Sequence, residues 1–403
     1  MSWSVEEVGG GVCAVAGVRA AGIAAGLKKS QKPDLALVAV DRPVAAAGVQ
    51  TTNQVQAAPV TVTGRHLADG RAQAVLLNSG SANVCTGPDG IALAEEAAAT
   101  VAAELGAHAQ DVLVCSTGVI GVPIPREPYL AGVSKVVADL STEGHTAAAT
   151  AIMTTDLVAK EAAVRVTEAD AGVVIGGMVK GSGMIAPSMA TMLCVLTTDA
   201  PFSSDVLQSA LRQAVARSFE RTSVDGCMST NDAVLLLSTG TAHEGGGLEA
   251  FTDGLTTTCR RLAEQMVADG EGATRTLRIE VTGARSEDEA VAVGRQVGSS
   301  ALVQTALAGG DPNWGRVMGA VGAGAVPIDP AAIAVGFAAP GSSAIDVARA
   351  GMAVAFDHDA VTGIMRGDQV VCRIDLGLGD AAGDFLTCDL THGYIRINAE
   401  YTT

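Results

Sequence analysis

The sequence has few aromatic residues and no long uninterrupted apolar run. Phe, Trp and Tyr together make up only 3% of the 403 residues, although 48% are hydrophobic. The core must therefore be built mainly from Ala, Val, Leu and Ile. Glycine or a charged residue interrupts every apolar stretch before it reaches the ~20 residues that a membrane-spanning helix needs, so we expect no membrane partner.

Positive charge is also scarce. Lys and Arg number 26 against 43 Asp and Glu, which gives a formal net charge of −17. A surface this acidic repels phosphate backbones, so we expect no nucleic-acid partner. An anionic substrate group would need a local cation, and Lys180 is a candidate. Because the amino terminus carries Glu6 and Glu7 where a secretory signal carries cations, we expect a cytoplasmic protein.

Paired cysteines and metal-ligand spacings are missing. The chain has eight cysteines and six histidines, but no C-x-x-C pair and no His spacing typical of a metal site. We expect the cysteines to be reduced, with most of them packed as small apolar side chains. His358, between Asp357 and Asp359, is typical of a helix start rather than of a ligand set. The sequence therefore predicts no metal site.

The chain is longer than a typical single domain and alternates predicted strands with predicted helices. Strands are predicted at residues 12–16, 35–40, 74–77, 112–115, 161–167, 171–178, 192–198, 233–238, 276–281, 370–376 and 385–389. Helices are predicted at residues 91–105, 127–140, 203–217, 248–268 and 288–297 and after Gly315. This mixture indicates the α/β (α+β) fold class.

The stretch that joins two of these apolar strands is Lys180-Gly-Ser-Gly-Met-Ile-Ala-Pro-Ser-Met-Ala-Thr191-Met-Leu. A Gly-rich loop between buried strands brings backbone N–H groups to a sheet edge, but it is also compatible with a plain structural turn. Residues 181–186 match the dinucleotide fingerprint G-x-G-x-x-G/A, which must open a helix. Pro187 and the short distance to Met192 leave no room for that helix, so this alternative is disfavoured.

The whole segment resembles the signature of the ornithine acetyltransferase family of arginine biosynthesis, Lys-Gly-x-Gly-Met-Ile-x-Pro-x-Met-Ala-Thr-Met-Leu. Members of that family cut their own chain between the Ala and the Thr, and the freed Thr is the nucleophile. The resemblance implies a cut between Ala190 and Thr191. Residues 1–190 would form an α chain carrying the oxyanion hole. Residues 191–403 would form a β chain that starts at the nucleophile and includes a C-terminal lobe.

Further segments resemble motifs of the same family and occur in the family order. They are residues 78–87, 116–121, 152–156, 270–274, 310–316 and 398–403. The chain departs from the family pattern at three positions: Ser81 replaces an expected Asn, and Cys227-Met228 replace an expected Asp-Thr. A polar role for residues 227 and 228 is therefore in doubt.

The resemblance assigns site residues by position. Thr117 and Gly118 match the oxyanion hole, where a hydroxyl and a closely approaching backbone N–H would stabilise a tetrahedral oxyanion. The residues that match substrate contacts are Thr154, Lys180, Thr191, Glu271, Asn398 and Thr403. In this assignment Lys180 meets the α-carboxylate of the substrate, and Glu271 meets the ammonium group of ornithine.

An amino-terminal Thr suits this chemistry because it carries its own base. A hydroxyl is a poor nucleophile at neutral pH, whereas an α-amine has a pKa of about 7.7–8.0 and is partly neutral. While Thr191 is internal, its nitrogen is an amide and cannot act as a base. The cut itself would proceed by attack of Thr191 Oγ1 on the Ala190 carbonyl, an N-to-O acyl shift and hydrolysis of the ester.

The implied function is glutamate N-acetyltransferase activity with a ping-pong mechanism. N2-Acetylornithine would acetylate Thr191, and glutamate would then take the acetyl group without a cofactor. Some family members also accept acetyl-CoA, which leaves that co-substrate open here. The implied fold is the αββα-like sandwich of enzymes with an amino-terminal nucleophile, with a smaller C-terminal α/β lobe, assembled as α2β2. Two alternatives stay open: a self-processing aminopeptidase or amidase, and a non-catalytic nucleotide-binding module.

Overall fold

The computed structural model describes residues 3–168, 171–186, 192–242 and 247–400. Three predicted site residues, Ala190, Thr191 and Thr403, lie outside these ranges. The described residues separate into two units. The first unit draws on residues 3–181, 192–220 and 228–266, and the second on residues 182–186, 221–227 and 267–400.

The elements are numbered in chain order. The strands are β1 Trp3–Glu7, β2 Val18–Ile23, β3 Leu35–Gln50, β4 Arg71–Ser81, β5 Val112–Val119, β6 Lys160–Glu168, β7 Ala171–Lys180, β8 Leu193–Thr198, β9 Thr222–Ser223, β10 Ala233–Ser238, β11 Thr276–Ala284, β12 Ala334–Ala338, β13 Ile345–Arg349, β14 Met352–Ala353, β15 Gln369–Asp375 and β16 Ala381–Cys388. The α-helices are α1 Ala58–His66, α2 Gly87–Leu105, α3 Arg126–Ala138, α4 His145–Ala151, α5 Ser204–Ala216, α6 Leu248–Ala268, α7 Glu287–Gly298, α8 Ala301–Gly309, α9 Trp314–Gly322, α10 His358–Met365 and α11 His392–Glu400.

The first unit is built on one sheet, and the long strand β3 joins the two halves of that sheet. In its described part the strand order is β1-β6-β7-β8-β10-β3-β4-β5, and β2 also pairs with β3. The first half of β3 pairs with β2 and β4, whereas its second half pairs with β10. The β3–β4 register shifts between Ala39 and Val44. Such an irregularity lets a strand bend, so β3 belongs to two halves of the sheet.

Side-chain alternation along these strands produces layers. Ala36 and Val38 of β3 belong to a buried cluster that also contains Val195 of β8 and Leu235 of β10. The intervening Leu37 instead belongs to a cluster formed with α2 and α3. Helix α5 packs on β3 on the other side of the unit. Successive residues of a strand point to opposite faces, so this period of two gives helix, sheet, sheet and helix layers. The predicted αββα-like fold class is confirmed.

Strands β7 and β8 flank the loop on which the sequence interpretation depends. Strand β7 pairs antiparallel with β6, which confirms the predicted hairpin, and also antiparallel with β8. Strand β8 pairs on its other edge with β10, in parallel. Lys180 is the last residue of β7 and lies opposite Leu193, the first residue of β8. The two ends of the loop are therefore fixed side by side in the sheet.

The second unit has its own sheet, with the strand order β14-β13-β12-β15-β11-β16-β9 within the described residues. Helix α7 packs on β11 and β16. Gly294 and Gly298 of α7 face Phe385, and a Cβ on either glycine would lie less than 3.0 Å from that side chain. Small residues thus let the helix approach the sheet closely. This unit is the predicted smaller C-terminal α/β lobe, which is confirmed.

Two local predictions were wrong, and one element was missed. Residues 12–16 are not a strand, because Gly10 and Gly11 have φ values of 101° and 48°, and a 3-10 helix Gly11–Ala14 forms instead. Strand β3 runs well beyond residue 40, since its exposed Asp41 and Arg42 do not end the pairing. The chain near its carboxyl end forms α11, which the sequence did not predict.

Among the residues that the structure describes, no helix is both long enough and apolar enough to cross a membrane.

Candidate active site

Thr117 and Gly118 lie near the end of β5, beside the end of β4. Gly118 has a φ of 132°, and a Cβ at this position would lie 2.4 Å from the carbonyl carbon of Gly80. Only glycine fits such a close approach of two backbones. The Thr117 side chain is buried. Strand β5 continues through these residues rather than ending at Cys115, as the sequence had suggested.

The backbone next to Thr117 is fixed by amide side chains. Ser116 Oγ donates to Asn78 Oδ1 over 2.6 Å, and Asn231 Nδ2 donates to the Ser116 carbonyl oxygen over 2.8 Å. Asn231 Nδ2 also donates to the Ala82 carbonyl oxygen over 2.6 Å. Buried backbone groups with satisfied hydrogen bonds have little freedom to shift. An oxyanion hole at Thr117 and Gly118 would therefore be preorganised.

Lys180 brings a cation to Thr117. Its side chain is only 2% exposed, and its Nζ lies 3.5 Å from Thr117 Oγ1. The same Nζ lies 4.0 Å from Asp156 Oδ2. The structure thus places two residues predicted from different motifs, Thr117 and Lys180, at one point of the first unit.

Asp156 organises the surroundings of Lys180. Its Oδ1 accepts hydrogen bonds from Lys160 Nζ over 2.7 Å and from the Gly181 N–H over 2.8 Å. Its Oδ2 accepts from the Thr154 N–H over 2.9 Å. Burial alone would raise the pKa of Asp156, but the charges of Lys180 and Lys160 outweigh it and hold that pKa well below its usual range. The carboxylate therefore stays ionised and fixes the predicted contact Thr154.

Lys28 adds a further cation to this part of the first unit. Its Nζ donates to the carbonyl oxygens of Pro33 and Met153, over 2.9 and 2.7 Å. Burial lowers the pKa of Lys28 to about 8, and the charge of Lys180 acts in the same direction, against the opposing effect of Asp34. The ammonium groups of Lys28 and Lys180 would both attract an anionic group bound in this part of the unit.

Sequence reasoning missed three charged residues of this region: Lys28, Lys160 and Asp232. Lys160 follows Asp156 by four residues with no charged residue between them, and that spacing signalled an ion pair but not its place beside Lys180. Asp232 Oδ1 accepts the N–H of Met192 over 2.9 Å, and its signal was its place four residues after Met228, at the end of the segment in which the chain departs from the family pattern.

The second unit brings together Glu271 and Asn398. Asn398 Nδ2, on α11, donates to Glu271 Oε2 over 2.7 Å. The Glu271 N–H donates to the Ser182 carbonyl oxygen over 2.7 Å, and a Cβ at Gly183 would lie 2.4 Å from the Glu271 carboxyl carbon. A side chain at position 183 would therefore displace the Glu271 carboxylate from its present position.

The start of the loop after β7 is also held within the second unit. Asp225 accepts the N–H groups of Met184 and Ile185 over 2.6 and 2.9 Å, and the Tyr394 hydroxyl lies 3.3 Å from it. The two departures from the family pattern at residues 227 and 228 are exposed side chains. Loss of their expected polar groups therefore leaves this network of hydrogen bonds in place.

The nucleophile and the scissile bond, Thr191 and Ala190, lie outside the described residues, as does Thr403. Their roles therefore stay predictions. Within the described ranges, no cluster of three or more His, Cys, Asp or Glu side chains could hold a metal ion.

Known proteins resemble this chain over nearly its whole length. The model of the ArgJ family matches residues 19–403. The chain is 44% identical over 400 residues to the arginine biosynthesis bifunctional protein ArgJ of Parasynechococcus marenigrum, covering 99% of this chain and 97% of that protein. It is 44% identical over 411 residues to the protein of the same name from Mycobacterium bovis, covering 98% and 96%.

A solved structure of ornithine acetyltransferase complexed with ornithine, from Mycobacterium tuberculosis, is 44% identical and has a TM-score of 0.41. It covers 47% of this chain and 100% of its own. The family match over nearly the full length, together with the relatives, shows that the chain belongs to the ArgJ family, the acetyltransferases of arginine biosynthesis.

Proposed function

We propose that this chain transfers the acetyl group of N2-acetylornithine to glutamate, with Thr191 as the nucleophile after a cut between Ala190 and Thr191. The observation that carries the proposal is the approach of Lys180 Nζ to Thr117 Oγ1, 3.5 Å apart at the end of β7. Strand β7 leads directly into the loop that carries Thr191. A cation for a carboxylate and a hydroxyl for an oxyanion are the groups that this transfer needs.

The first half-reaction acetylates the enzyme. The α-amine of Thr191 takes the proton of Oγ1, and Oγ1 attacks the acetyl carbonyl of N2-acetylornithine. The Thr117 hydroxyl and the Gly118 N–H stabilise the oxyanion of the tetrahedral intermediate. Its collapse breaks the C–N bond, and the α-amine returns the proton to the departing ornithine nitrogen.

The second half-reaction runs the same steps in reverse order with glutamate. The glutamate amine attacks the acetyl-Thr191 ester, and the same oxyanion hole serves the second tetrahedral intermediate. Lys180 holds the α-carboxylate in both half-reactions, because both amino acids carry it. Thr154 and Thr403 complete the set of substrate contacts.

The side-chain ends of the two substrates differ in charge, and the pair Glu271 and Asn398 suits that difference. Glu271 presents a carboxylate, which matches the terminal ammonium of ornithine. Asn398 Nδ2 lies 2.7 Å from that carboxylate and is a donor, which matches the side-chain carboxylate of glutamate. One acceptor next to one donor would let a single site accept both substrates.

The proposal also covers the chains and the assembly of the active enzyme. The α chain, residues 1–190, and the β chain, residues 191–403, stay together and assemble as α2β2 in the cytoplasm. The transfer needs no metal and no cofactor, and acetyl-CoA is a candidate second acetyl donor that would give N-acetylglutamate directly.

Two measurements on the purified protein test the proposal. Mass spectrometry under denaturing conditions should show two fragments, one of which begins with Thr191. N2-Acetylornithine without glutamate should release about one equivalent of ornithine per site and then stop, and addition of glutamate should restart turnover. A single uncut chain with full activity would contradict the nucleophile. Continuous release of acetate without glutamate would identify an amidase instead.

A further inference from the structure

Lys28 is a partly buried cation that the proposed mechanism does not use. It lies in residues 24–34, the loop that joins β2 to β3. Its ammonium group has three N–H donors, and two of them are taken by the carbonyl oxygens of Pro33 and Met153, over 2.9 and 2.7 Å. The residue stays partly accessible to solvent. Withdrawing an ammonium group from water costs free energy, which a bound anion would offset.

The loop that carries Lys28 is fixed by the carboxylate of Asp34, its last residue. This side chain is fully buried. It accepts the N–H groups of Ala25, Leu27 and Lys28 over 2.6, 2.6 and 2.9 Å. The Asp34 carbonyl oxygen also accepts the Ser79 N–H over 2.9 Å, which ties the loop to β4. The backbone from which the Lys28 side chain projects therefore has little freedom to shift.

Two contacts place Lys28 beside residues of the predicted site. Met153, whose carbonyl oxygen Lys28 holds, directly precedes the predicted substrate contact Thr154. A Cβ at Gly80 would lie 3.3 Å from Lys28 Cγ, and a Cβ at Gly118 would lie 2.4 Å from the Gly80 carbonyl carbon. The aliphatic part of Lys28 thus passes the strand end that abuts the predicted oxyanion hole.

The charged groups around Lys28 act on it in both directions. Burial has the largest effect and lowers the pKa of Lys28 to about 8, and the charges of Lys180 and Lys32 act in the same direction. The carboxylates of Asp34 and Asp156 oppose them. The ammonium form is therefore present below about pH 8 and is lost above it. A second carboxylate, supplied by a ligand, would favour the charged form.

We propose that Lys28 is a second substrate-binding cation: its ammonium group binds the α-carboxylate of the amino-acid substrate together with Lys180. The inference rests on the proposed function, because that carboxylate is the group that both proposed substrates share. A carboxylate has two oxygens, so it accepts from two ammonium groups at once. The carbonyl contacts of Lys28 orient its ammonium group before the substrate arrives, which reduces the entropy lost on binding.

Three variants test this role through the affinity for glutamate, measured by calorimetry on the cut enzyme without an acetyl donor. K28M keeps most of the side-chain length and removes the ammonium group. K28R keeps a cation whose pKa lies above ~12, so it stays charged at every pH used. Lys29 supplies the matched control, because it is the adjacent residue, is exposed, and K29M changes the net charge by the same amount.

The wild-type affinity for glutamate should fall about tenfold between pH 7 and pH 9, because Lys28 loses its proton in this range. K28M should bind glutamate at least about tenfold more weakly at pH 7, the usual cost of one charged hydrogen bond, with little further change at pH 9. K28R should stay within about threefold of the wild-type affinity at pH 7 and keep it at pH 9. K29M should match the wild type at both pH values.

A K28M affinity within about twofold of wild type at pH 7 would overturn the inference. A loss of affinity at pH 9 in K28R as large as in the wild type would also overturn it, because the titrating group would then be another one. If K28M does not fold, the comparison of K28R with the wild type decides alone. Failure of the proposed function would appear separately, as a wild-type chain that stays uncut or binds no glutamate at either pH.

Discussion

The hydroxyl group of Thr117 is the part of the side chain that would act in catalysis, whereas the rest of the side chain contributes packing. The side chain is buried, and its Oγ1 lies 3.5 Å from Lys180 Nζ. Replacing Thr117 by Val keeps the volume and removes the hydroxyl. We expect T117V to lower kcat by about 10²–10³-fold, the usual cost of one oxyanion donor, with little change in KM. Steady-state kinetics on the cut enzyme measures both parameters.

The variant T117S supplies the matched control, because it keeps the hydroxyl and loses only a methyl group. Its kcat should stay within about tenfold of wild type. Equal losses in T117V and T117S would show that packing at this position, rather than the donor, sets the rate.

Asp156 is expected to govern stability and its dependence on pH. Its side chain and that of Lys160 are both fully buried, and their charged atoms are 2.7 Å apart. Breaking a buried ion pair on one side leaves an uncompensated charge, so D156N should lose about 3–5 kcal/mol of unfolding free energy near pH 7. Urea unfolding at several pH values measures this loss.

The sign of the pH effect follows from the direction of the pKa shift. The pKa of Asp156 is lower in the folded chain than its usual value, because the charges of Lys180 and Lys160 outweigh its burial. Its stabilisation is therefore present above about pH 4 and is lost as the pH falls further. The D156N protein should lack this acid-dependent loss. D41N, at the exposed Arg19–Asp41 pair, should change stability by less than about 1 kcal/mol.

Helices and strands with a regular sequence pattern could be predicted from the sequence. The bend within a strand and the point where a strand ends could not. Helix α6, Leu248–Ala268, and strand β10, Ala233–Ser238, match their predicted bounds. Strand β3 was predicted too short, because pairing with β4 and β10 carries it past the polar residues 41 and 42. A local sequence pattern contains no information about such partners.

Local motifs could identify some residues of the candidate site but not others. Thr117, Lys180, Glu271 and Asn398 could be selected because each lies in a recognisable motif, although their roles stay predictions. Lys160 could not be assigned to the same cluster, because its position depends on the pairing of β6 with β7, where it lies opposite Val179. Contacts between distant segments follow from sheet register, which the sequence leaves open.

Helix α11 and the turn at Glu271 should determine how the two substrates are distinguished. E271Q removes the charge that faces an ammonium group, so it should raise the KM for N2-acetylornithine at least about tenfold more than the KM for glutamate. N398A removes a donor and should have the opposite preference. The two KM values, measured separately in the two half-reactions, test this assignment. Parallel changes for both substrates in both variants would exclude Glu271 and Asn398 from substrate discrimination.

On the scale of the whole molecule, the predicted cut does not coincide with the division into units. The first unit contains β7, before the cut, and β8 and β10, after it. The second unit likewise contains residues 182–186 together with residues 221–227 and 267–400. The first unit therefore draws its core from both fragments. In the second unit, residues of both fragments share hydrogen bonds.

The cut chain should consequently behave as one protein. Strand β8 lies between β7 and β10, and its Val195 and Leu196 are fully buried, each worth about 1.5–3 kcal/mol of hydrophobic stabilisation. We expect fragments 1–190 and 191–403 to co-elute in native size-exclusion chromatography at the volume of uncut T191A and to separate only in denaturant. In fragment 191–403 expressed alone, β8 and β10 should not fold, because β8 would lack β7 and β10 would lack β3. Amides of β8 and β10 that are protected from hydrogen exchange in that fragment would show that the cut separates independent domains.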